Sequence, residues 1–207
     1  MKNFIYLLLI VAIGFASCRK EPDYDKLSSE FIVSTNLDKT ASFGSYKTYY
    51  MADTVINLGG TGKDTILNDA NAVKLVAAVK SNMASRGYTL VARTAKPDLG
   101  LRLGVVKVVN VDVYYPGWWD GYAGWFPYWW GGYYPYYYPW TTVYTYNTGT
   151  EILDVYDLKN AKTNGQYRVI WNVAAFGALG SDMGGNLNRG INAINQGFVQ
   201  SPYFKAN

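Results

Sequence analysis

Between Leu99 and Val113 the apolar residues fall on alternate positions: Leu99, Leu101, Leu103, Val105, Val109, Val111 and Val113, with Lys107 interrupting. The positions between them begin Asp98, Gly100, Arg102 and Gly104. Side chains of an extended strand point alternately to opposite faces, so this spacing predicts one long strand with an apolar and a polar face. Such a strand is stable only in a sheet whose apolar face is covered, which commits the chain to a layered fold. The same reading gives shorter strands at 31–35, 45–51, 143–146, 151–156 and 167–175, the last with Val169, Trp171 and Val173 on one face. Asn147-Thr148-Gly149 and Asn164-Gly165 supply turns. Two segments carry helical spacing instead. Asn68 caps the first, which buries Ala72, Val76, Val79 and Met83 and stops at Gly87 after Arg86. The second repeats Leu187, Ile191, Ile194 and Phe198. Its Gly190 and Gly197 each cost about 1 kcal/mol relative to alanine, so packing must hold it. The expected fold is α+β, an antiparallel sheet with two helices on one face, in a single domain over residues 30–207.

An insertion breaks this pattern. Residues 114–146 read YYPGWWDGYAGWFPYWWGGYYPYYYPWTTVYTY, more than half of them aromatic, with Asp120 as the sole charge. Every tryptophan except Trp171 lies here: Trp118, Trp119, Trp125, Trp129, Trp130 and Trp140. Pro116, Pro127, Pro135 and Pro139, with the interspersed glycines, exclude a regular helix. Three readings stand open. The tract is a loop partly packed on the sheet, a platform offering rigid aromatic faces to a sugar or a protein, or a contact with the membrane interface. The near absence of charge argues that so large an apolar surface touches something. The tract is expected to serve binding more than folding.

The N-terminus has the layout of a secretory signal, with Lys2, an apolar run from Phe4 to Phe15, and the small residues Ala16 and Ser17. The run is too short to span a bilayer, which takes about 20 apolar residues. Phe15-Ala16-Ser17-Cys18 resembles the lipobox of bacterial lipoproteins, with Phe15 where leucine is usual. That resemblance implies cleavage after residue 17 and acylation of Cys18, leaving residues 18–29 as a tether. Several acyl chains, at about 0.8 kcal/mol per buried methylene, give a stable anchor. Arg19 is not the aspartate that holds some lipoproteins at the inner membrane, so the expected location is the bacterial outer membrane, at either face.

Catalytic chemistry is sparse. The chain has no histidine, which removes His-dependent nucleophilic and metal chemistry, and its single cysteine can form no internal disulfide. Residues 59–65 only glance at a phosphate-binding loop, because Asp64 follows Lys63 where Ser or Thr is needed, and segment 53–67 reads as a solvated loop. Glu151, Asp154 and Asp157 are the densest acidic group, and read as the polar face of an amphipathic hairpin. Asp98 and Arg102 read as a surface ion pair. A formal net charge of +4, dispersed along the chain, gives no clustered basic face for nucleic acid.

Several short stretches carry a wider likeness. Ser42-Phe43-Gly44-Ser45-Tyr46-Lys47-Thr48-Tyr49, Arg86-Gly87-Tyr88, Lys96-Pro97-Asp98-Leu99, Gly149-Thr150-Glu151-Ile152-Leu153-Asp154-Val155, Val169-Ile170-Trp171 and Ser201-Pro202-Tyr203-Phe204 together resemble the bacterial lipoproteins of domain of unknown function 4136. The resemblance implies an envelope location and this fold, and names no catalytic residue. The expectation is therefore a non-enzymatic envelope lipoprotein without cofactor or metal. It is held in the membrane by acylated Cys18 and meets an envelope protein or the membrane surface through its aromatic arm. Glycan binding by the same arm is the alternative.

Overall fold

The structure, a computed structural model, describes residues 31–58, 60, 66–106, 136–140, 149–177 and 181–207. In chain order its strands are β1 (Ile32–Leu37), β2 (Thr48–Met51), β3 (Val55–Leu58), β4 (Ile66–Leu67), β5 (Thr89–Leu90), β6 (Leu99–Val106), β7 (Tyr136–Tyr137), β8 (Glu151–Asp157) and β9 (Tyr167–Phe176). The helices are α1 (Ala70–Ser85), a single turn α2 (Ala161–Asn164), and α3 (Met183–Val199). Among the described residues no helix is long and apolar enough to cross a membrane.

The expected α+β fold is present. Strands β1, β9, β8 and β6 lie side by side, each antiparallel to the next, and form the body of the sheet. The far edge of β6 departs from a purely antiparallel plan. There β2 pairs parallel with Leu99–Leu101, and β3 pairs parallel with Gly104–Val106. Parallel neighbours need a crossover rather than a hairpin, and α1 supplies it between β3 and β6. The start of the parallel ladder is fixed by Asp98, whose carboxylate accepts the backbone N–H groups of Lys47 at 2.7 Å and Thr48 at 3.1 Å. Asp98 therefore makes no surface pair with Arg102. Segment 53–67 is also no plain solvated loop, since all of β3 is buried. Its apolar residues Val55, Ile56 and Leu58 are too few to show period-two spacing.

Helices α1 and α3 cover one face. Asp69, not Asn68, caps α1, accepting the N–H groups of Asn71 and Ala72 at 2.9 Å each. Gly87 ends the helix region at φ 84°, a left-handed conformation that suits glycine. Ala72, Val76, Val79 and Met83 enter the core as their spacing predicts, against Leu99, Leu101, Leu103, Leu153, Val155 and Trp171. On α3, Gly190 and Gly197 face the sheet. A methyl group at Gly190 would overlap the Glu151 carboxyl, and one at Gly197 would stand 2.6 Å from Val173 Cγ2. Their helix-propensity cost is offset by a close approach that no larger residue permits.

One register shift separates the two faces of β9. Val155 pairs with Trp171, but Tyr156 pairs with Val169, so Ile170 is an extra residue. Trp171 and Val173 consequently pack under the helices, whereas Val169 joins Tyr156 and Tyr167 on the opposite face. The expected common face for Val169, Trp171 and Val173 is thus broken. The tail returns to close the helix side, where Phe204 meets Trp171 at 4.5 Å between ring centroids and Ser201 Oγ accepts the Trp171 indole N–H at 2.9 Å.

Candidate functional site

The β8 carboxylates are not a solvated polar face. Glu151, Asp154 and Asp157 are all buried, and each has a different environment. Asp154 belongs to a row that crosses four strands. The pairing sets Arg102 of β6 beside Asp154 of β8, Asp154 beside Asn172 of β9, and Asn172 beside Asn36 of β1. Asp154 accepts from Arg102 Nη2 at 3.5 Å, from Asn172 Nδ2 at 2.6 Å, and from the hydroxyls of Tyr138 and Tyr156 at 3.0 and 3.1 Å. Arg102 also donates to the Tyr156 hydroxyl. Arg102 and Asp154 are each 1% exposed. Burial pushes the Asp154 carboxyl above the usual carboxylate range, opposed by the Arg102 guanidinium and the hydrogen bonds from Asn172 and Tyr138. The even positions of β6 are therefore a second, covered face rather than a wet one.

The cover comes from the root of the aromatic tract. β7 runs parallel beside Tyr167 and Arg168 of β9. Tyr138 then packs on two small apolar clusters, one around Tyr156 and Val169 and the other around Ile56, Leu58, Val106 and Ile152. Trp140 stands edge-on to Tyr138, centroids 5.9 Å apart at 87°, and packs on the first cluster. Of the six tryptophans named from the sequence, Trp140 thus serves the packing of the second face. Trp118, Trp119, Trp125, Trp129 and Trp130 lie outside the described residues, as does Cys18. The tract is not devoted to binding alone: residues 136–140 are part of the folded domain.

Removing the counter-charge from the row tests its structural weight. Asp154→Asn keeps the side-chain shape but strands a buried guanidinium, a loss of about 3 kcal/mol. The urea midpoint should fall accordingly, and Arg102→Met in the same chain should recover a large part of it. A midpoint shift no larger than that of a surface substitution would contradict this account.

Asp157 holds a different corner. It accepts from the Tyr46 hydroxyl at 3.0 Å and from the Asn160 amide and backbone N–H at 2.8 and 2.9 Å. Burial and then the neighbouring Asp157 charge hold the Tyr46 hydroxyl well above its ordinary pKa. Asp38, buried and ion-paired with Arg168, lies across the same polar cleft of about 270 Å³. Thr40, Ser42, Ser45 and Asn164 also line it. Arg168 in turn sits 5.5 Å from the Tyr137 ring, which joins this cleft to the tract's root. The cleft leaves little local mark in the chain, because its residues come from segments more than a hundred positions apart. Among the described residues no group of three or more carboxylate or thiol ligands converges to hold a metal ion.

Comparisons with known proteins agree with this fold. The crystal structure of a DUF4136 family protein from Bacteroides thetaiotaomicron is 29% identical, with a TM-score of 0.70, over 86% of this chain and 99% of that one. A PelC dodecamer from Paraburkholderia phytofirmans is 11% identical at a TM-score of 0.40, over 86% of this chain and 99% of that one. A PDZ domain protein from Parabacteroides distasonis is 14% identical at 0.41, over 85% of this chain and 37% of that one. Neither of these two distant likenesses bears on what this chain does. No curated protein matches the chain. Residues 33–203 match the family described as Domain of unknown function (DUF4136), and the chain belongs to that family.

Proposed function

We propose that the protein is a non-catalytic lipoprotein of the bacterial outer membrane, anchored by acylated Cys18, that meets an envelope partner through its aromatic tract. The closure of the tract's base is the observation that carries the reading. Val106 N–H donates to the Thr150 carbonyl and Gly149 N–H to the Val106 carbonyl, both at 2.8 Å, so residues 107–148 enter and leave the sheet at hydrogen-bonded neighbours. The two strands close beneath the tract, and of its described residues only 136–140 pack back on the sheet. Two of the three β8 carboxylates, Asp154 and Asp157, spend their lone pairs on internal donors, which suits scaffolding rather than acid–base work.

Shortening residues 116–135 to a Gly-Ser turn, with 136–140 retained, tests the reading. Loop length alone changes stability slowly, by about 0.6 kcal/mol per halving. The shortened protein should keep its cooperative unfolding and its membrane fractionation, yet lose the envelope protein crosslinked to the full chain in intact cells. Retention of that crosslink would sink the proposal. In a parallel strain, Cys18→Ala should move the protein out of the membrane fraction, and mass spectrometry should find acyl chains on the wild-type Cys18 alone.

Glycan binding is the second reading, and the polar cleft favours it. Carboxylates, amides and hydroxyls around about 270 Å³, beside the half-exposed ring of Tyr137, are suited to a sugar's hydroxyls and its apolar face. It predicts saturable, ligand-dependent quenching of tryptophan fluorescence by envelope oligosaccharides, weakened by Asn160→Ala.

A further inference from the structure

Glu151 stands apart from its two neighbours on β8. It is 8% exposed, and its Oε2 is buried with no hydrogen-bond partner. It faces the helix side of the sheet, opposite the aromatic root, with Gly190 of α3 drawn up against its carboxyl. A protein that only needed to fill this space could have used glutamine or leucine, because an unpaired buried carboxyl is costly. Beside it opens a cleft of about 120 Å³ between the first turns of α1 and α3 and the end of β6. Leu75, Val105 and Leu187 give it apolar walls, Asn71 and Asn186 line it as well, and Glu151 is the one ionisable group among the described residues that line it.

We infer that this cleft is a binding site for a primary alkylammonium group, with Glu151 as its anionic partner. Three observations select that chemistry. Among the described residues no lysine or arginine lines the cleft, so a carboxylate ligand would add an uncompensated charge, whereas an ammonium balances Glu151. Both helices that start at the cleft have aspartate caps, Asp69 on α1 and Asp182 on α3. These carboxylates offset the positive ends of the helices, which would otherwise repel a cation. The size fits as well. One water occupies about 30 Å³ of liquid, so the cleft holds about four groups of that size, a short aliphatic chain with its ammonium head. A free amine and a lysine side chain present the same group.

The proton accounting is explicit. Burial pushes the Glu151 carboxyl up to about 8, so at neutral pH it carries its proton before the ligand enters. Binding of R-NH3+ ionises it, and one proton leaves to solvent for each ligand taken up. Affinity should therefore rise about tenfold per pH unit below 8 and level off above it.

The test titrates the full chain with n-butylammonium chloride by calorimetry at pH 6, 7 and 9, in buffers of different ionisation heat. Saturable binding that tightens about tenfold from pH 6 to 7, with one proton released, is the expected result. Glu151→Gln, which keeps the side-chain volume, should bind at least tenfold more weakly at pH 9 while its thermal transition stays cooperative. Butanoate and butanol serve as controls and should not saturate. Nα-acetyl-lysine N-methylamide distinguishes the sources: its binding assigns the cleft to a lysine side chain, its exclusion to a free amine. The inference is overturned if butylammonium does not saturate, if Glu151→Gln binds it as well, or if butanoate or butanol binds equally. None of these outcomes depends on the aromatic tract, so failure here leaves the proposed envelope role standing.

Discussion

Circular dichroism of the Leu101→Asp protein should show no cooperative thermal transition. Leu101 is fully buried at the centre of β6, opposite Val155 on one side and Met51 on the other, beneath the helices. Losing a buried leucine costs about 2–5 kcal/mol. Placing a carboxyl there without a partner costs roughly 2–7 kcal/mol more, even when it takes up a proton. Together, at about 4–12 kcal/mol, these cancel most of the roughly 5–15 kcal/mol by which a domain is stable. Leu101→Met, which conserves volume, should cost under about 1.5 kcal/mol and supplies the control. An unchanged melting temperature for Leu101→Asp would mean that this face of β6 is not the core.

Urea midpoints should fall markedly as pH rises from 5 to 8.5, and Glu151→Gln should abolish most of that fall. Below pH 4.5 the carboxyl of Glu151 is protonated in the folded and unfolded chains alike. Between 4.5 and about 8 the unfolded chain gives up the proton and the folded one keeps it, so rising pH favours unfolding. At about 1.4 kcal/mol per pH unit, this window removes on the order of 4–5 kcal/mol of stability. The stabilisation is fully present in acid and gone above about pH 8. The glutamine variant has no proton to lose at this position, so its midpoint should fall much less over the same range, by what the raised Asp154 carboxyl alone contributes. If both proteins decline in parallel, the cause lies in some other group.

Local periodicity made the helix-side layer legible. Ala72, Val76, Val79 and Met83 on α1, Ile194 and Phe198 on α3, and Leu99, Leu101 and Leu103 on β6 each announce their burial within a few residues of chain. The opposite face was not legible, because what buries it arrives from far along the sequence. Arg102 stands between glycines at a position that reads as wet, and only Tyr138 and the neighbouring strands make it dry. The same distance hid Asp154, whose partners lie on three other segments. The parallel edge formed by β2 and β3 escaped for another reason. Spacing reveals which way side chains point, not which way a neighbour runs. The extra residue at Ile170 likewise leaves no local mark, yet it reverses the facing of everything before it in β9.

The transverse row has a consequence for how the sheet finds its alignment. Apolar residues tolerate many neighbours, so a sheet packed only by Leu and Val can pair one step out of place along the strand. Here a slip of two residues between β6 and β8, the shortest that keeps each side chain on its own face, would carry Asp154 to Gly100 or Gly104 and leave Arg102 facing Ile152 or Tyr156. A slip between β8 and β9 would part Asp154 from Asn172 in the same way. Each wrong alignment buries a charge that has nothing to answer it, while the right one satisfies both partners together. Arg102, Asp154, Asn172 and Asn36 thus act as the teeth of a key across four strands, and an aromatic root closes over them only when the teeth line up.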